Sequence, residues 1–300
     1  MIKITSIHQA NELASKGELI GVFEVPKEIY HKGPGLSCSN LKAIDESAAY
    51  YQWTLKNPME WSKQMRLGDA LHAKILEPST FSQNVIVAGK SGNTKAHQDA
   101  KKDHPDKNVI TEADFEEMLK ASDLLNSKEF ARKILSGYHE YAFYWIDEET
   151  GILCKCKPDS LHPMGFIGDL KWSSAKDEDH WMTISESFKY QMQNAWYLDG
   201  VAEALKQSGQ VIDGLMIPKK FYFVVVLSSD KIDVMYVQFP EDFVEDGRAR
   251  CRQALRVYKR CIEENYWPTK FEVFNEDTGR WVEAIRMVKT RSWMYLNRRN

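Results

Sequence analysis

The stretch CKCKPDSLHPMGFIGDLKW, residues 154–172, places two aspartates ten positions apart in a pattern of short strands. Side chains at positions i and i+2 of a strand point to the same face, so Asp169 and Lys171 share one side while Leu170 turns toward the core. Asp159 ends the preceding strand, and the connection between the aspartates is long enough to bring them alongside. Carboxylates that close repel one another unless a cation lies between them. The pattern therefore predicts a pair of strands that carries a charged site.

Helical and strand periodicities alternate along the rest of the chain. They predict a sheet flanked by helices, an α/β (α+β) fold, most simply as one domain over residues 1–300. The expected order is helices over about 37–55, 62–77 and 111–135, a hairpin over about 139–161 with its turn at 149–151, a strand over about 165–173, a long helix over about 177–205, strands over about 219–229 and 231–240, and a helix over about 241–267.

Composition excludes several classes of protein. The chain has 300 residues, 43% of them hydrophobic, which is enough for a sizeable core. A net charge of −3 gives no overall attraction to nucleic acid, so such contacts require local patches. The longest apolar run, FYFVVVL at 221–227, is far shorter than a membrane span, and the first residues have no apolar signal core. We expect no membrane association and a cytoplasmic location.

Neither the cysteines nor the glycine-containing loop AGKSGNTK indicates a bound cofactor. Five cysteines are an odd number, and the Cys154–Cys156 spacing is not that of a zinc ribbon, so buried reduced thiols are expected and an iron–sulfur cluster is the alternative. The loop AGKSGNTK resembles a phosphate-binding loop, but Asn84 stands where the motif needs its first glycine.

Two hard carboxylate oxygens at one point favour Mg²⁺ or Mn²⁺, which take oxygen ligands. A lysine beside such a metal can position the attacking water or stabilise charge on a phosphate. Hydrolysis of a phosphodiester uses these parts, often with two metal ions. The alternative is that Asp159 begins a turn after Pro158, and that Asp169 and Lys171 form a solvated pair at a strand edge.

Further motifs, in order along the chain, resemble one nuclease family. The PD…DLK residues are similar to the PD-(D/E)XK signature, and YQMQNAWYLDG contains the Q-x-x-x-Y motif, Gln193 to Tyr197, of its RecB-like branch. The segment LGDALHAKILEP resembles the histidine-bearing helix of the RecE-type (exonuclease VIII-like) phage and prophage exodeoxyribonucleases. The same group has segments similar to GLSCSNLKAI, TKAHQDAKKDHPDKNVIT, EYAFYWIDEETGILCKCKPD and ENYWP. The resemblance covers about residues 22–268.

This resemblance implies a restriction-endonuclease-like central mixed sheet flanked by helices, preceded by an N-terminal extension over about 1–22 and followed by a basic tail over about 270–300. It also implies a metal-dependent 5′→3′ exonuclease that degrades double-stranded DNA ends to mononucleotides and leaves 3′ overhangs for homologous recombination. The alternatives are a RecB-like nuclease that acts on single strands or internally, and a DNA-end-binding protein without catalysis.

The resemblance also assigns roles to residues. Asp159, Asp169 and the Leu170 carbonyl would bind the catalytic metal, Lys171 would orient the attacking water, and His72 would bind a second ion. The ions would be Mg²⁺, with Mn²⁺ as a substitute. Without the resemblance, His72 reads as a hydrogen-bonded core histidine.

Other assignments rest on fewer residues. Glu140, at the start of a strand, would bind metal directly or through water, or be an ordinary carboxylate at a strand start. Gln193 would bond a metal water or the scissile phosphate. Tyr190 and Tyr197 lie with it on one helical stripe, where they would contact DNA or simply belong to the core.

Contacts with DNA are expected from local basic segments, although any run of charge can be a solvated surface. The resemblance adds a ring-shaped homo-oligomer and a RecT-like single-strand annealing partner as expectations. The candidate contact residues are Arg66, Lys90, Lys95, Lys101 and Lys102, together with the tail residues Arg286, Lys289, Arg291, Trp293, Tyr295, Arg298 and Arg299.

Overall fold

The computed structural model describes residues 1–57, 59–139, 141–229 and 231–284. Glu140, one of the predicted metal ligands, lies outside the described residues, and so do the predicted DNA contacts of the tail from Arg286 onward.

The strands of the described residues form two mixed four-stranded sheets and two small two-stranded sheets. The predicted mixed sheet flanked by helices is thus confirmed, but it is divided in two. The strands are β1 (Ile2–Lys3), β2 (Gly21–Glu24), β3 (Val85–Val87), β4 (Asn108–Ile110), β5 (Tyr141–Ile146), β6 (Leu153–Cys156), β7 (Ser160–His162), β8 (Phe166–Ser173), β9 (Lys220–Leu227), β10 (Asp233–Val237), β11 (Glu272–Asn275) and β12 (Arg280–Glu283).

Helices cover the sheets and connect their strands. They are α1 (Ile7–Ser15), α2 (Lys27–Lys32), α3 (Cys38–Glu46), α4 (Ala48–Lys56), α5 (Lys63–Leu76), α6 (Phe81–Asn84), α7 (Lys95–Asp103), α8 (Glu112–Ser127), α9 (Glu129–Ile134), α10 (Glu178–Ser187), α11 (Tyr190–Ser208) and α12 (Glu241–Glu264).

The first sheet has the order β1-β2-β5-β6. Its β5–β6 pair is the predicted antiparallel hairpin, and the side chain of Asp147 accepts hydrogen bonds from the N–H and hydroxyl of Thr150 in the turn. Near the N-terminus, β1 pairs in parallel with β2, which in turn pairs antiparallel with β5. The first residues of the chain therefore belong to this sheet.

The second sheet has the order β10-β9-β8-β7, and its two central strands are parallel. Parallel neighbours need a long crossover, which α10 and α11 supply. The run from Phe221 to Val226 in β9 is almost entirely buried, as expected for a strand that is covered on both faces. The strand that carries Asp169 is therefore held in the middle of a sheet.

Three predicted helices are each broken into two, so the prediction of continuous helices there was wrong. At Ser47 the backbone is extended, and its side chain accepts from the N–H of Tyr50 to begin α4. Lys128 separates α8 from α9 with an extended backbone, and Lys189 separates α10 from α11 in the left-handed region. In the sequence, the helical spacing of apolar residues continues across each break, because only one or two residues there are not helical. The spacing alone therefore predicts one helix where the structure has two.

Helix α11 lies between the two sheets and forms the centre of the largest core cluster. Its Trp196 ring is 4.8 Å from Trp145 on β5, and its Tyr197 ring is 6.2 Å from Phe221 on β9. A Cβ at Gly200 would overlap the Trp145 indole, so the helix approaches β5 closely only because glycine stands there. This packing fixes α11, and with it Gln193, relative to both sheets.

All five cysteines are buried and free, as predicted for reduced thiols. Within the described ranges, no helix has both the length and the apolar character needed to cross a bilayer.

Candidate active site

Asp169 is fully buried in β8 and has a donor on each carboxylate oxygen. The ammonium of Lys171, two residues along the strand, pairs with Oδ2. The side-chain Nε2 of Gln193 on α11 donates to Oδ1 over 2.6 Å. The predicted shared face of Asp169 and Lys171 is therefore present, and Leu170 between them packs into the core on the other side.

Asp159 lies in the turn between β6 and β7, beside the middle of β8. The backbone N–H of Leu170 donates to its Oδ2 over 2.9 Å, which ties the turn to the strand that carries Asp169. Nε2 of His72 on α5 lies 3.1 Å from Oδ1 of Asp159, and Nδ1 lies 3.7 Å from a carboxylate oxygen of Glu77. The structure thus brings His72, Asp159, Asp169, Lys171 and Gln193 together.

The two aspartates have opposite pKa shifts because their neighbours differ. Burial raises the pKa of Asp169 to about 6, the charge of Asp159 adds to this, and Lys171 opposes it. Burial also acts on Asp159, but the charge and hydrogen bond of His72, with the charge of Lys171, lower its pKa to about 2. A desolvated carboxylate beside an ionised one is an arrangement that a further cation stabilises.

The basic partners respond to the same carboxylates. Burial disfavours the charged form of Lys171, but Asp169 and Asp159 outweigh it and raise the pKa of the lysine. The Asp159 charge and hydrogen bond likewise outweigh burial and raise the pKa of His72. Lys171 is therefore a cation at neutral pH, which suits it to donate hydrogen bonds and excludes it as a base in this state.

These residues lie at a cleft of about 900 Å³, a volume typical of ligand pockets. His72, Asp159, Leu170 and Lys171 line it directly, whereas Asp169 is sealed beneath its surface. The other walls are Lys27, Tyr30 and His31 of α2, Met59, Glu60, Trp61, Ser62, Gln64, Met65, Gly68, Asp69, Glu77, Lys157, Pro158, residues 172–174, His180, Ile184, Phe188, Tyr190 and Tyr197.

The donor set fits a divalent cation that prefers oxygen ligands. Asp159 and Asp169 supply carboxylates, and His72 supplies an imidazole nitrogen at contact distance from Asp159. Across the described residues, no three His, Cys, Asp or Glu side chains are grouped closely enough to hold a metal by themselves. Metal binding would therefore need further donors, such as the predicted Leu170 carbonyl or water, and would replace contacts that the carboxylates now make.

The predicted DNA-contact residues divide into two groups. Tyr190 and Tyr197 line the cleft, and the Lys171 ammonium lies 5.2 Å from the Tyr190 ring centre. Arg66 instead donates to the Trp61 carbonyl over 2.5 Å, and Lys95 and Lys102 are exposed on α7. These three do not line the cleft, so the structure does not bring them to the acidic site.

Sequence reasoning missed most of the cleft walls. Lys157 donates to the Val25 carbonyl over 2.9 Å, and its place directly before the Pro-Asp pair is a signal that could have found it. Lys27 pairs with Asp69 and lies 5.8 Å from the Trp61 ring centre. No local pattern indicates that α2 and the start of α5 meet at this cleft, because the contact joins distant parts of the chain.

Comparison with known proteins agrees with this geometry. Residues 37–275 match a family described as "PDDEXK-like domain of unknown function (DUF3799)". A crystal structure from Eubacterium rectale named "Putative exonuclease" has a similar fold, with a TM-score of 0.55 and 17% sequence identity over 88% of this chain and 92% of that chain. No curated protein matches the chain. At this identity the structural likeness shows the fold alone.

The family match covers most of the chain, and the fold is that of the PD-(D/E)XK nucleases. The family match supports nuclease activity. Neither comparison distinguishes RecE-type enzymes from other nucleases of this fold. The chain belongs to the PDDEXK-like domain family DUF3799.

Proposed function

We propose that this protein is a metal-dependent 5′→3′ exonuclease that acts on the ends of double-stranded DNA, releases mononucleotides and leaves 3′ overhangs for homologous recombination. The observation that carries the hydrolytic part is the meeting of Asp159, Asp169, Lys171, Gln193 and His72 at one cleft. Polarity and end preference come from the resemblance to RecE-type enzymes.

The acidic residues and His72 are proposed to hold Mg²⁺, with Mn²⁺ as a substitute. Asp159, Asp169, His72 and the Leu170 carbonyl would bind one or two ions. When bound, such an ion polarises a phosphoryl oxygen and supplies a nucleophile near neutral pH.

The remaining groups act through position and charge. Gln193 fixes one oxygen of Asp169 and the Leu170 N–H fixes one oxygen of Asp159, so both carboxylates keep their orientation. The Lys171 ammonium, held at the cleft surface, would donate to the attacking water or to a phosphate oxygen as negative charge develops. Tyr190 supports this lysine through its ring face.

Substitution of Asp169 by asparagine tests the site with little change in shape. We expect Asp169→Asn and Lys171→Met to slow release of nucleotides from end-labelled duplex DNA in Mg²⁺ by about 10²–10³-fold. Asp147→Asn is the matched control, because Asp147 is also a buried carboxylate, paired with Arg252, but lies away from the cleft. Undiminished hydrolysis by Asp169→Asn would refute the assignment.

Substrate topology and label position test the finer proposal. A 5′→3′ exonuclease degrades linear duplex, releases a 5′ label first and leaves a covalently closed circle intact. Nicking or linearisation of the circle would instead indicate the endonuclease alternative, and preference for a single strand would indicate the other RecB-like alternative. Binding of ends without turnover would indicate the non-catalytic alternative.

The resemblance also leads us to propose a ring-shaped homo-oligomer in the cytoplasm that delivers its product to a RecT-like annealing protein. Light scattering after gel filtration tests the first part, because a monomer at working concentration would contradict it. Co-purification with a single-strand annealing protein tests the second.

A further inference from the structure

Phe188 is an exposed aromatic residue at the wall of the acidic cleft. Its side chain is 60% exposed, although nearly all the other phenylalanines near α11 are buried. Its ring stacks on Tyr190, with centres 5.8 Å apart and planes 18° from parallel. Tyr190 in turn lies beneath the Lys171 ammonium. One face of Phe188 is therefore packed while the residue as a whole remains open to solvent, one ring away from the acidic site.

The corner that presents Phe188 is strained and firmly held. Lys189 has φ 53° and ψ 47°, a left-handed conformation that is unfavourable for a residue with a Cβ. Its ammonium lies 2.5 Å from a carboxylate oxygen of Asp45 and donates to the Lys42 carbonyl over 3.1 Å. Asp45 also pairs with Arg250 of α12 at 3.1 Å, so α3 and α12 together hold the corner. Strain maintained in this way is typical of functional positions.

Cations accompany the aromatic surface. The Lys42 ammonium lies 5.0 Å from the centre of the same Tyr190 ring that Lys171 approaches. Among the described residues, no carboxylate lies within ion-pairing distance of Lys42. Stacked rings beside cations are the composition of sites for single-stranded nucleic acid, in which bases meet rings and phosphates meet cations.

Among its polar and charged walls, the cleft has further exposed apolar side chains. Met59, Trp61 and Met65 line the cleft and are all substantially exposed. Exposed apolar side chains beside charged groups are a mark of a ligand-binding groove. An aromatic ligand that carries negative charge suits both the exposed rings and the Lys171 ammonium at the cleft surface.

We propose that Phe188 is a stacking platform for an unpaired nucleobase of the strand whose phosphate lies at Lys171. The proposal rests on the proposed function, since it takes DNA as the substrate. It names a subsite: one base, separated from its complement, lies on the Phe188 ring, and the preorganised corner at Lys189 holds that ring in place. The same surface makes the end of a duplex easier to open, because stacking on the Phe188 ring replaces the base stacking that is lost in the duplex.

Fluorescence of 2-aminopurine tests the subsite directly, because stacking on a ring quenches its emission. Single 2-aminopurines are placed at successive positions from the end of linear DNA, and protein carrying Asp169→Asn is added in Mg²⁺. Quenching is expected at one position, absent after Phe188→Leu and retained after Phe188→Trp. Phe130→Ala removes a ring that is 53% exposed and lies away from the cleft, so it should quench like its parent.

Affinity gives an independent readout. Phe188→Leu should weaken binding about 5- to 20-fold, at the lower end of the range for base stacking. An abasic nucleotide at the quenched position should cause a similar loss, and the two losses should not multiply, because each removes the same contact. Quenching that survives Phe188→Leu, no quenched position at all, or losses that multiply would each overturn the platform.

Failure of the platform can be told apart from failure of the proposed function. Hydrolysis of end-labelled duplex by the wild-type protein is measured in the same buffer. Hydrolysis without Phe188-dependent quenching overturns the platform alone. Absence of hydrolysis overturns the proposed function, on which the platform rests.

Discussion

Lys155 is a buried cation that pairs with no carboxylate among the described residues. Its titration should be visible in the stability of the protein. The residue lies in β6 and is 2% exposed. Its ammonium donates to the carbonyl oxygens of Tyr30 over 2.6 Å and of Gly33 over 2.7 Å, and lies 4.9 Å from the Tyr30 ring centre. It therefore ties the end of α2, which forms one wall of the cleft, to the first sheet.

Burial lowers the pKa of Lys155 from 10.5 to about 8. One pKa unit corresponds to about 1.4 kcal/mol, so the charged form is disfavoured in the folded protein by about 3 kcal/mol. Between pH 8 and 10.5 the unfolded chain binds more protons at this residue than the folded chain does, so stability rises with pH. This contribution is fully present above pH 10.5 and is lost as the pH falls to about 8. The neutral amine keeps two N–H donors, which is enough for both carbonyls.

Replacement of Lys155 by methionine isolates this effect, because other groups titrate in the same window. Urea unfolding of the wild type and of Lys155→Met should be compared from pH 7 to pH 10.5. The difference in free energy of unfolding should move by about 3 kcal/mol in favour of the wild type as the pH rises through this window. Lys120→Met, which removes an exposed lysine of α8, controls for the loss of a surface charge. A constant difference between wild type and Lys155→Met would refute the reasoning.

Three further changes are expected to have measurable effects. His72→Gln should raise the Mg²⁺ concentration for half-maximal hydrolysis by at least about tenfold, and an unchanged titration would count against His72 as a ligand. Gly200→Ala should destabilise the protein by about 1–2 kcal/mol in urea unfolding, because the new methyl group overlaps Trp145 by more than the helix gains. In Gly68→Ala the new methyl group meets only the Trp172 Cβ at 3.4 Å, so this variant should instead be more stable than the wild type by up to about 1 kcal/mol. A change in the free energy of unfolding with the same sign in both variants would contradict this packing.

Local patterns predicted the parts of the site that lie close together in sequence. Alternation in the strands placed Asp169 and Lys171 on one face. The motif shared with the RecB-like branch pointed to Gln193, which donates to Asp169. The resemblance to the histidine-bearing helix of the RecE-type enzymes pointed to His72, which contacts Asp159. The shared face of Asp169 and Lys171 was predictable because period 2 fixes the direction of each side chain once the strand is known.

What could not be predicted depends on single residues or on contacts between distant segments. At the break, Lys189 forms an ion pair with Asp45, which lies more than a hundred residues earlier in the chain. The local sequence shows only a lysine between two helical stretches, so it predicts a continuous helix. That prediction also misses the exposed position of Phe188 next to the break. Similarly, nothing in the sequence around Lys155 indicates that its ammonium ends on the carbonyls of α2.

Asp159 and Asp169 can lie side by side without a metal between them. Each of the four carboxylate oxygens already has a donor: His72 and the Leu170 N–H for Asp159, and Gln193 and Lys171 for Asp169. The acids can therefore be buried together in the folded protein before any cation arrives. A cation that binds there would have to compete with these donors, which would lower its affinity. The carboxylates that it would meet are already oriented. Lys171 is the donor best placed to yield, because it lies between buried Asp169 and the open cleft. Its release from the carboxylate would uncover the proposed metal ligand and free the ammonium for a phosphate in the same movement.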